Sequence, residues 1–199
     1  MVNSIPFLFC YTIYMEKIIE KILEIDKEVV LVSIDGRCAS GKTTLARKIS
    51  QIIDCNVFHM DDFFLQKHQR ERHTIPGENV DYERFLEEVL IPLTLKKDVY
   101  YRAFDCKDMK IKEGSLIKFK KINIIEGVYS NNINLTNYYD YKIFLDVNSD
   151  IQMERIMKRN TNHNDFKNKW IPLEEKYFKE FNIKNKCDLI IDTSDSFVF

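Results

Sequence analysis

The chain has 199 residues, 45% hydrophobic and 31% charged, which is enough for one domain with a substantial core. Its net charge of −1 at pH 7 creates no field drawing it to nucleic acid or to an anionic membrane. Only 5 glycines and 4 prolines are present, where average glycine usage of about 7% would give roughly 14, so collagenous and Gly/Pro-rich disordered chains are excluded.

Residues 5–14 (IPFLFCYTIY) are apolar, but no basic residue precedes them, no A-x-A-like cleavage site follows, and the stretch is too short to span a bilayer. They read as a packed tail or as sequence upstream of a true start at Met15. From Met15 to Glu28, Ile18, Ile19, Ile22, Leu23 and Ile25 recur at helical spacing, so 1–28 reads as an extension and an amphipathic helix. VVLVSID (29–35) is a β-branched run suited to a strand buried on both faces. KTTLARKISQII (42–53) is helical, and NVFHM (56–60) is a short strand. Residues 61–80 are polar and aromatic around Pro76 and Gly77 and read as a long loop or lid. DYERFLEEVLIPLTL (81–95) predicts a helix that Pro92 ends or kinks, and 98–121 predicts irregular structure or short strands. INIIE (122–126) and YKIFLDV (141–147) are buried strands, helices follow at about 149–160 and 168–182, and DLIID (188–192) is the last strand. Strands alternating with helices predict one α/β domain with a parallel sheet covered on both faces.

Cys10, Cys38, Cys55, Cys106 and Cys187 form no CxxC, and His59, His68, His73 and His163 give no zinc spacing. The thiols read as reduced, mostly core-filling residues of a cytoplasmic protein.

Two glycines bracket the strongest motif, Gly36-Arg37-Cys38-Ala39-Ser40-Gly41-Lys42-Thr43, a full GxxxxGK[ST] followed by Thr44. It leaves a predicted strand and enters a predicted helix. There, successive backbone N–H groups form a concave nest for polyphosphate, with Lys42 reaching the β/γ-phosphates and the Thr43 hydroxyl ligating Mg²⁺. The motif therefore points to a bound nucleoside triphosphate. The acceptor chemistry belongs at the carboxyl ends of the other strands. Asp61 and Asp62 follow the second strand, and Glu126 ends the third, before Gly127. Phosphoryl transfer to a hydroxyl needs one carboxylate to accept a proton and others to hold Mg²⁺ and its waters. Of the five glycines, replacing Gly41 or Gly127 is expected to harm activity far more than replacing Gly114.

The P-loop, MDDFF, Asn79-Val80-Asp81-Tyr82, IIEGVYS and the Arg155/Arg159 helix occur in one chain order. Together, over roughly residues 29–192, they resemble a uridine kinase-type P-loop nucleoside kinase, of the group that includes nicotinamide riboside kinase and pantothenate kinase. The resemblance implies an NMP-kinase-like core, a P-loop NTPase fold with a five-stranded parallel sheet flanked by helices. It also implies ATP with Mg²⁺ as the donor, an acceptor-site insertion at about 61–121 and a mobile lid at about 155–169. Asp61 resembles the catalytic base, with Asp62 second. Glu126 resembles the acid that works on the magnesium shell, and Asp81 the acid that holds ribose hydroxyls beside Tyr82. Arg155 and Arg159 resemble arginines that stabilise the migrating phosphoryl group.

Departures bear on the acceptor. VYYRAFDCKDMK carries no histidine where uridine kinases grip the base, leaving Tyr101, Arg102, Phe104 and Asp105 as pocket residues. The lid is poor in arginine and offers Lys167 and Lys169, while Arg70 and Arg72 supply charge in the 61–80 loop or are solvated. Trp170, with Pro172 and Tyr177, reads as packing. Asn185-Lys186-Cys187-Asp188 spells the guanine-reading N-K-x-D, but it precedes a strand and no DxxG is present, which argues against a GTPase. A regulatory protein that binds ATP without transfer is disfavoured by Asp61 and Glu126. The partner expected is a small-molecule, nucleoside-like acceptor: uridine or cytidine first, then nicotinamide riboside, pantothenate or another hydroxyl metabolite.

Overall fold

A computed structural model describes residues 5–159 and 163–195, and of residues 5–13 the backbone alone. Helix α1 (Ile5–Leu23) leads to β1 (Val30–Gly36), α2 (Lys42–Ile52) and β2 (Cys55–His59). After an intervening region come β7 (Ile122–Glu126), β8 (Tyr141–Asp146), α5 (Ser149–Arg159), α6 (His163–Asp165), α7 (Ile171–Glu180) and β9 (Leu189–Asp192). The five strands pair in parallel in the order β2–β7–β1–β8–β9. Register brings the carboxyl ends together: Ile34 and His59 both lie abreast of Glu126, and Gly36 lies abreast of Leu145.

The apolar run of β1 serves both faces. Leu31 joins Phe58, Phe85, Phe144 and Tyr177 on one side, while Val30, Val32 and Ile34 join Ile18 and Ile22 of α1 and Leu45 and Ile49 of α2 on the other. Each face of the sheet is thus closed by a helical layer, as the strand–helix alternation predicts. Helix α1 begins ten residues before Met15 in the sequence, and it stops before Glu28 because the chain must reverse into β1, where Lys27 pairs with Asp140 at 2.6 Å. Residues 1–4 of the predicted extension, and 160–162 of the predicted lid, lie outside the described residues. Among the described residues no helix is long and apolar enough to cross a membrane.

The predicted loop 61–80 is more ordered than its composition suggests. A 3₁₀ turn at Met60–Phe63 is followed by a 3₁₀ helix at Lys67–Thr74, which Gln66 and Gln69 cap reciprocally. An isolated bridge between Phe64 and Val80 closes the segment at its base. The predicted helix 81–95 runs as α3 (Tyr82–Phe85), a π turn (Leu86–Leu90) and α4 (Ile91–Thr94), so Pro92 neither ends nor breaks it. The wide π turn just before Pro92 accommodates a ring that lacks an N–H and would crowd an α turn. The same device recurs at the π turn Phe166–Trp170 before Pro172 in α7. Within 98–121, β3 (Val99–Tyr101) pairs with β6 (Ser115–Ile117), and β4 (Phe104–Asp105) with β5 (Lys110–Ile111), in two small antiparallel hairpins apart from the main sheet.

Candidate active site

The strand ends and the 36–43 loop enclose a cleft of about 340 Å³. The loop is shaped from behind. The carbonyl of Cys38 accepts from Gln152 at 3.1 Å, that of Ala39 from Arg155 at 3.3 Å, and that of Ser40 from the Thr193 hydroxyl at 3.1 Å. Ala39 (φ 58°) and Gly41 (φ 102°) adopt left-handed conformations. The amides of Gly36, Arg37, Cys38 and Ser40 are bonded within the protein, so an anion nest here would draw on those of Ala39, Gly41, Lys42 and Thr43. Arg37 clamps the outer side, donating to both Glu175 oxygens at 2.6 and 3.1 Å and to the Val147 carbonyl at 2.8 Å.

Lys42 is buried at the start of α2, and its Nζ donates to the carbonyls of Gly36 and Arg37, both at 2.8 Å. Those bonds hold the ammonium over the loop. Across from it, the Thr43 hydroxyl donates to Glu126 Oε1 at 3.0 Å, and His59 Nδ1 lies 2.6 Å from the same oxygen. The Glu126 hydrogen bond raises the His59 pKa, against the cost of desolvation. Thr43 and Glu126 thus present two hard oxygen donors side by side at the foot of the loop, a donor set that suits Mg²⁺.

Asp61 faces this group from the end of β2. Its side chain opens to the cleft, and among the described residues it has no hydrogen-bond or ion-pair partner. Desolvation by the cleft walls raises its pKa, opposed by Lys42 and reinforced by Glu126 and Asp62. Asp62 turns away and accepts from the Tyr101 hydroxyl at 2.6 Å. Of the two acids, Asp61 alone is free in the cleft.

The structure gathers Cys38, Ala39, Gly41, Lys42, Thr43, Thr44, Asp61, Glu126 and Arg159 around one space. Other predicted residues stand elsewhere. Arg155 sits behind the loop, where its guanidinium also donates to the Thr193 carbonyl at 2.6 Å, so it braces the nest from outside. Asp81 is 3% exposed; it caps α3 by accepting from Arg84 N and also accepts from Gln69 Nε2 at 3.0 Å. Tyr82 lies under Arg72, whose guanidinium carbon is 5.3 Å from the ring centroid. The Tyr101 ring packs on Phe58 and Phe63. Asp105 belongs to a hairpin turn and pairs with Lys112, which with two backbone amides holds its pKa down at about 2. Phe104 lines an adjoining cavity. Trp170, read above as packing, instead lines both cavities and tilts against Phe64, with ring centroids 6.2 Å apart.

Two acids carry roles that sequence reasoning missed. Glu174 is 5% exposed, lines the cleft and accepts from the Cys38 amide at 2.9 Å; burial pushes its pKa up to about 7, with Lys42 and the Cys38 amide opposing. Asp35, buried at the end of β1, accepts from the amides of Gly36 and Asn131 and from the Tyr177 hydroxyl; burial raises its pKa to about 6.

Residues 31–168 match the family model described as phosphoribulokinase / uridine kinase family. A mouse protein, uridine-cytidine kinase-like 1, is 30% identical over 145 residues, which are 67% of this chain and 26% of that protein. The uridine kinase of Clostridium novyi (strain NT) is 27% identical over 140 residues, 65% of this chain and 67% of that one. The matched segment is thus about a quarter of the mouse protein and two thirds of the clostridial one. Among solved structures, a possible uridine kinase from Bacillus stearothermophilus superposes with a TM-score of 0.69 at 21% identity, covering 89% of this chain and 97% of that one. A putative fructose transport system kinase from Silicibacter sp. TM1040 gives 0.68 at 22%, with the same coverage. Both share the fold. With the P-loop, Asp61 and Glu126 converging at the carboxyl ends of the strands, the chain belongs to the phosphoribulokinase/uridine kinase family of P-loop phosphotransferases.

Proposed function

We propose that this chain is an ATP-dependent kinase that phosphorylates the 5′-hydroxyl of a nucleoside, of uridine or cytidine type, by in-line transfer. The observation that carries this reading is the partnerless Asp61 carboxylate, facing Lys42 and the Thr43–Glu126 pair across one cleft. A kinase needs a basic group beside the acceptor and a cationic cradle beside the donor, and the cleft supplies both.

The polyphosphate of ATP docks on the N–H groups of Ala39, Gly41, Lys42 and Thr43, with Lys42 moving from the loop carbonyls to the β/γ-phosphates. Thr43 and Glu126 would hold magnesium, which would supply neutralisation of the phosphate charge. The acceptor hydroxyl lies against Asp61, whose unpartnered carboxylate is placed to accept its proton. As the O–P bond to the acceptor forms and the bond to ADP breaks, Asp61 takes the hydroxyl proton. Lys42 and Arg159 stabilise the charge on the equatorial oxygens. Phe166 and Trp170, which line the cleft, help to exclude water, which would otherwise take the acceptor's place. Arg155 acts as a positioning residue, through the carbonyl of Ala39.

Phe64 and Trp170, which pack against each other at the cleft wall, offer apolar ring surface to a flat group on the acceptor and favour a nucleoside over a small sugar. The test is a panel of uridine, cytidine, nicotinamide riboside, pantothenate and small sugars with ATP. The reading expects ADP and a phosphorylated nucleoside in equal amounts. ADP release that no acceptor stimulates, or transfer to sugars alone, contradicts it.

A further inference from the structure

The β2–β7 register sets His59 abreast of Glu126, and their side chains meet, with His59 Nδ1 2.6 Å from Glu126 Oε1. A carboxylate oxygen accepts, so Nδ1 carries the proton and donates. The Thr43 hydroxyl donates to the same oxygen at 3.0 Å, and its own lone pairs stay available to a cation. Oε1 thus receives two donors, while Oε2 receives none among the described residues. Glu126 is buried and lines the cleft, so one oxygen is tethered and the other is left for what the cleft binds.

The histidine is itself held in place. On β2, an edge strand of the sheet, the His59 backbone N–H donates to the Tyr101 hydroxyl at 3.2 Å, and that hydroxyl donates to Asp62 Oδ2 at 2.6 Å. The hairpin strand β3, which carries Tyr101, is thereby tied to the end of β2. With 41% of its side chain exposed, His59 fills no core, and among the described residues it is not one of those lining the cleft. Its contact with the cleft runs through Glu126. A glutamate has three rotatable bonds, and fixing them before a ligand arrives removes that ordering cost from binding.

We propose that His59 is a positioning residue for the metal-binding acid: by holding Glu126 Oε1 it leaves Oε2 as the oxygen offered to magnesium and strengthens the coupling between magnesium and nucleotide. This rests on the metal role given above to Thr43 and Glu126, and deepens it.

The test needs no turnover. Calorimetry on the full-length protein measures binding of the non-hydrolysable analogue AMP-PNP, once with Mg²⁺ and once with EDTA. The ratio of the two dissociation constants is the magnesium gain. His59→Ala should cut that gain by about tenfold and leave the metal-free affinity within about threefold of wild type. His59→Asn sets Nδ2 as many bonds from Cα as the lost Nδ1, keeping the donor without a titratable ring, and should restore the gain to within about threefold. Glu126→Gln, the reference, should lower the gain at least as far as His59→Ala does.

A His59→Ala gain within about threefold of wild type, an equal loss of affinity with and without Mg²⁺, or a His59→Asn protein no better than His59→Ala overturns the inference. If Glu126→Gln loses the gain and His59→Ala keeps it, the metal role of Glu126 stands and only the inference goes. If Glu126→Gln keeps it too, both fall. No arm contains an acceptor, so the nucleoside reading stands or falls separately, on the acceptor panel.

Discussion

The Glu174 carboxylate accepts the Cys38 amide at 2.9 Å and so places an acid against the phosphate loop, on the Lys42 side of the cleft. Burial pushes its pKa up to about 7, so the group is largely neutral at pH 6 and ionised at pH 8. An ionised carboxylate there repels polyphosphate; a neutral one does not. The KM for ATP should therefore rise as pH increases from about 6 to 8, by no more than the tenfold per pH unit that one titrating group allows. In Glu174→Gln that rise should vanish, apart from the part that ATP and His59 contribute in both proteins. Initial rates across pH for the two proteins check this; parallel profiles would remove Glu174 from the account.

Tyr177 and Asp35 form a buried pair whose worth also depends on pH. The Tyr177 hydroxyl donates to Asp35 Oδ2 at 2.9 Å, beside the Asn131 amide on the same oxygen. The folded pKa of Asp35, about 6, lies above its unfolded value of about 3.8, so its contribution favours the folded state at low pH and is lost as pH rises through 6. Tyr177→Phe deletes a donor that stabilises the ionised form, raising the folded pKa further. The variant should lose about 1.5–3 kcal/mol above pH 7, roughly 5 °C in Tm, and less at pH 5. Thermal melts at the two pH values measure the difference, and an equal loss at both would sink the argument.

Glycine replacement separates loop geometry from local crowding. Gly36 has φ 130°, and a Cβ there would collide with the Leu145 backbone oxygen; Gly127 has φ 134°, and its Cβ would meet Met60 Cβ at 2.8 Å. Neither neighbour can swing aside, so Gly36→Ala and Gly127→Ala should each lower kcat/KM by about 10²-fold or more through displaced loop and acid. Gly114 is not free of neighbours, since an added Cβ would meet the Tyr100 ring at 2.7 Å and Arg102 Cγ at 2.8 Å. Those are side chains on partly exposed hairpin residues that can shift, so Gly114→Ala should stay within about threefold of wild type.

The sheet and the donor side of the cleft were legible because each signal is local. The β-branched run 29–35, the GxxxxGKT spacing and the acids ending β2 and β7 each need only strand or helix periodicity to be placed. The acceptor side was harder for a physical reason. Asp81 follows a Pro/Gly-containing segment and opens a helix, so a ligand-binding acid and an N-cap look alike in sequence, and here the carboxylate caps. Glu174, Gln152, Thr193 and His59 reach the site only through helix rotation and strand register, which no short motif encodes. The π turns before Pro92 and Pro172 reversed the usual reading of proline as a helix stop.

The most direct test of the central claim is Asp61→Asn, assayed for acceptor-dependent phosphoryl transfer alongside Asp62→Asn, with ATP affinity measured in each. Loss of a general base typically costs 10²–10⁴-fold in rate. Asp61→Asn should fall by about that factor while binding ATP almost as wild type does, and Asp62→Asn, which keeps an oxygen to accept from the Tyr101 hydroxyl, should fall far less. An Asp61→Asn enzyme within about threefold of wild type, or one outperforming Asp62→Asn, would contradict the account.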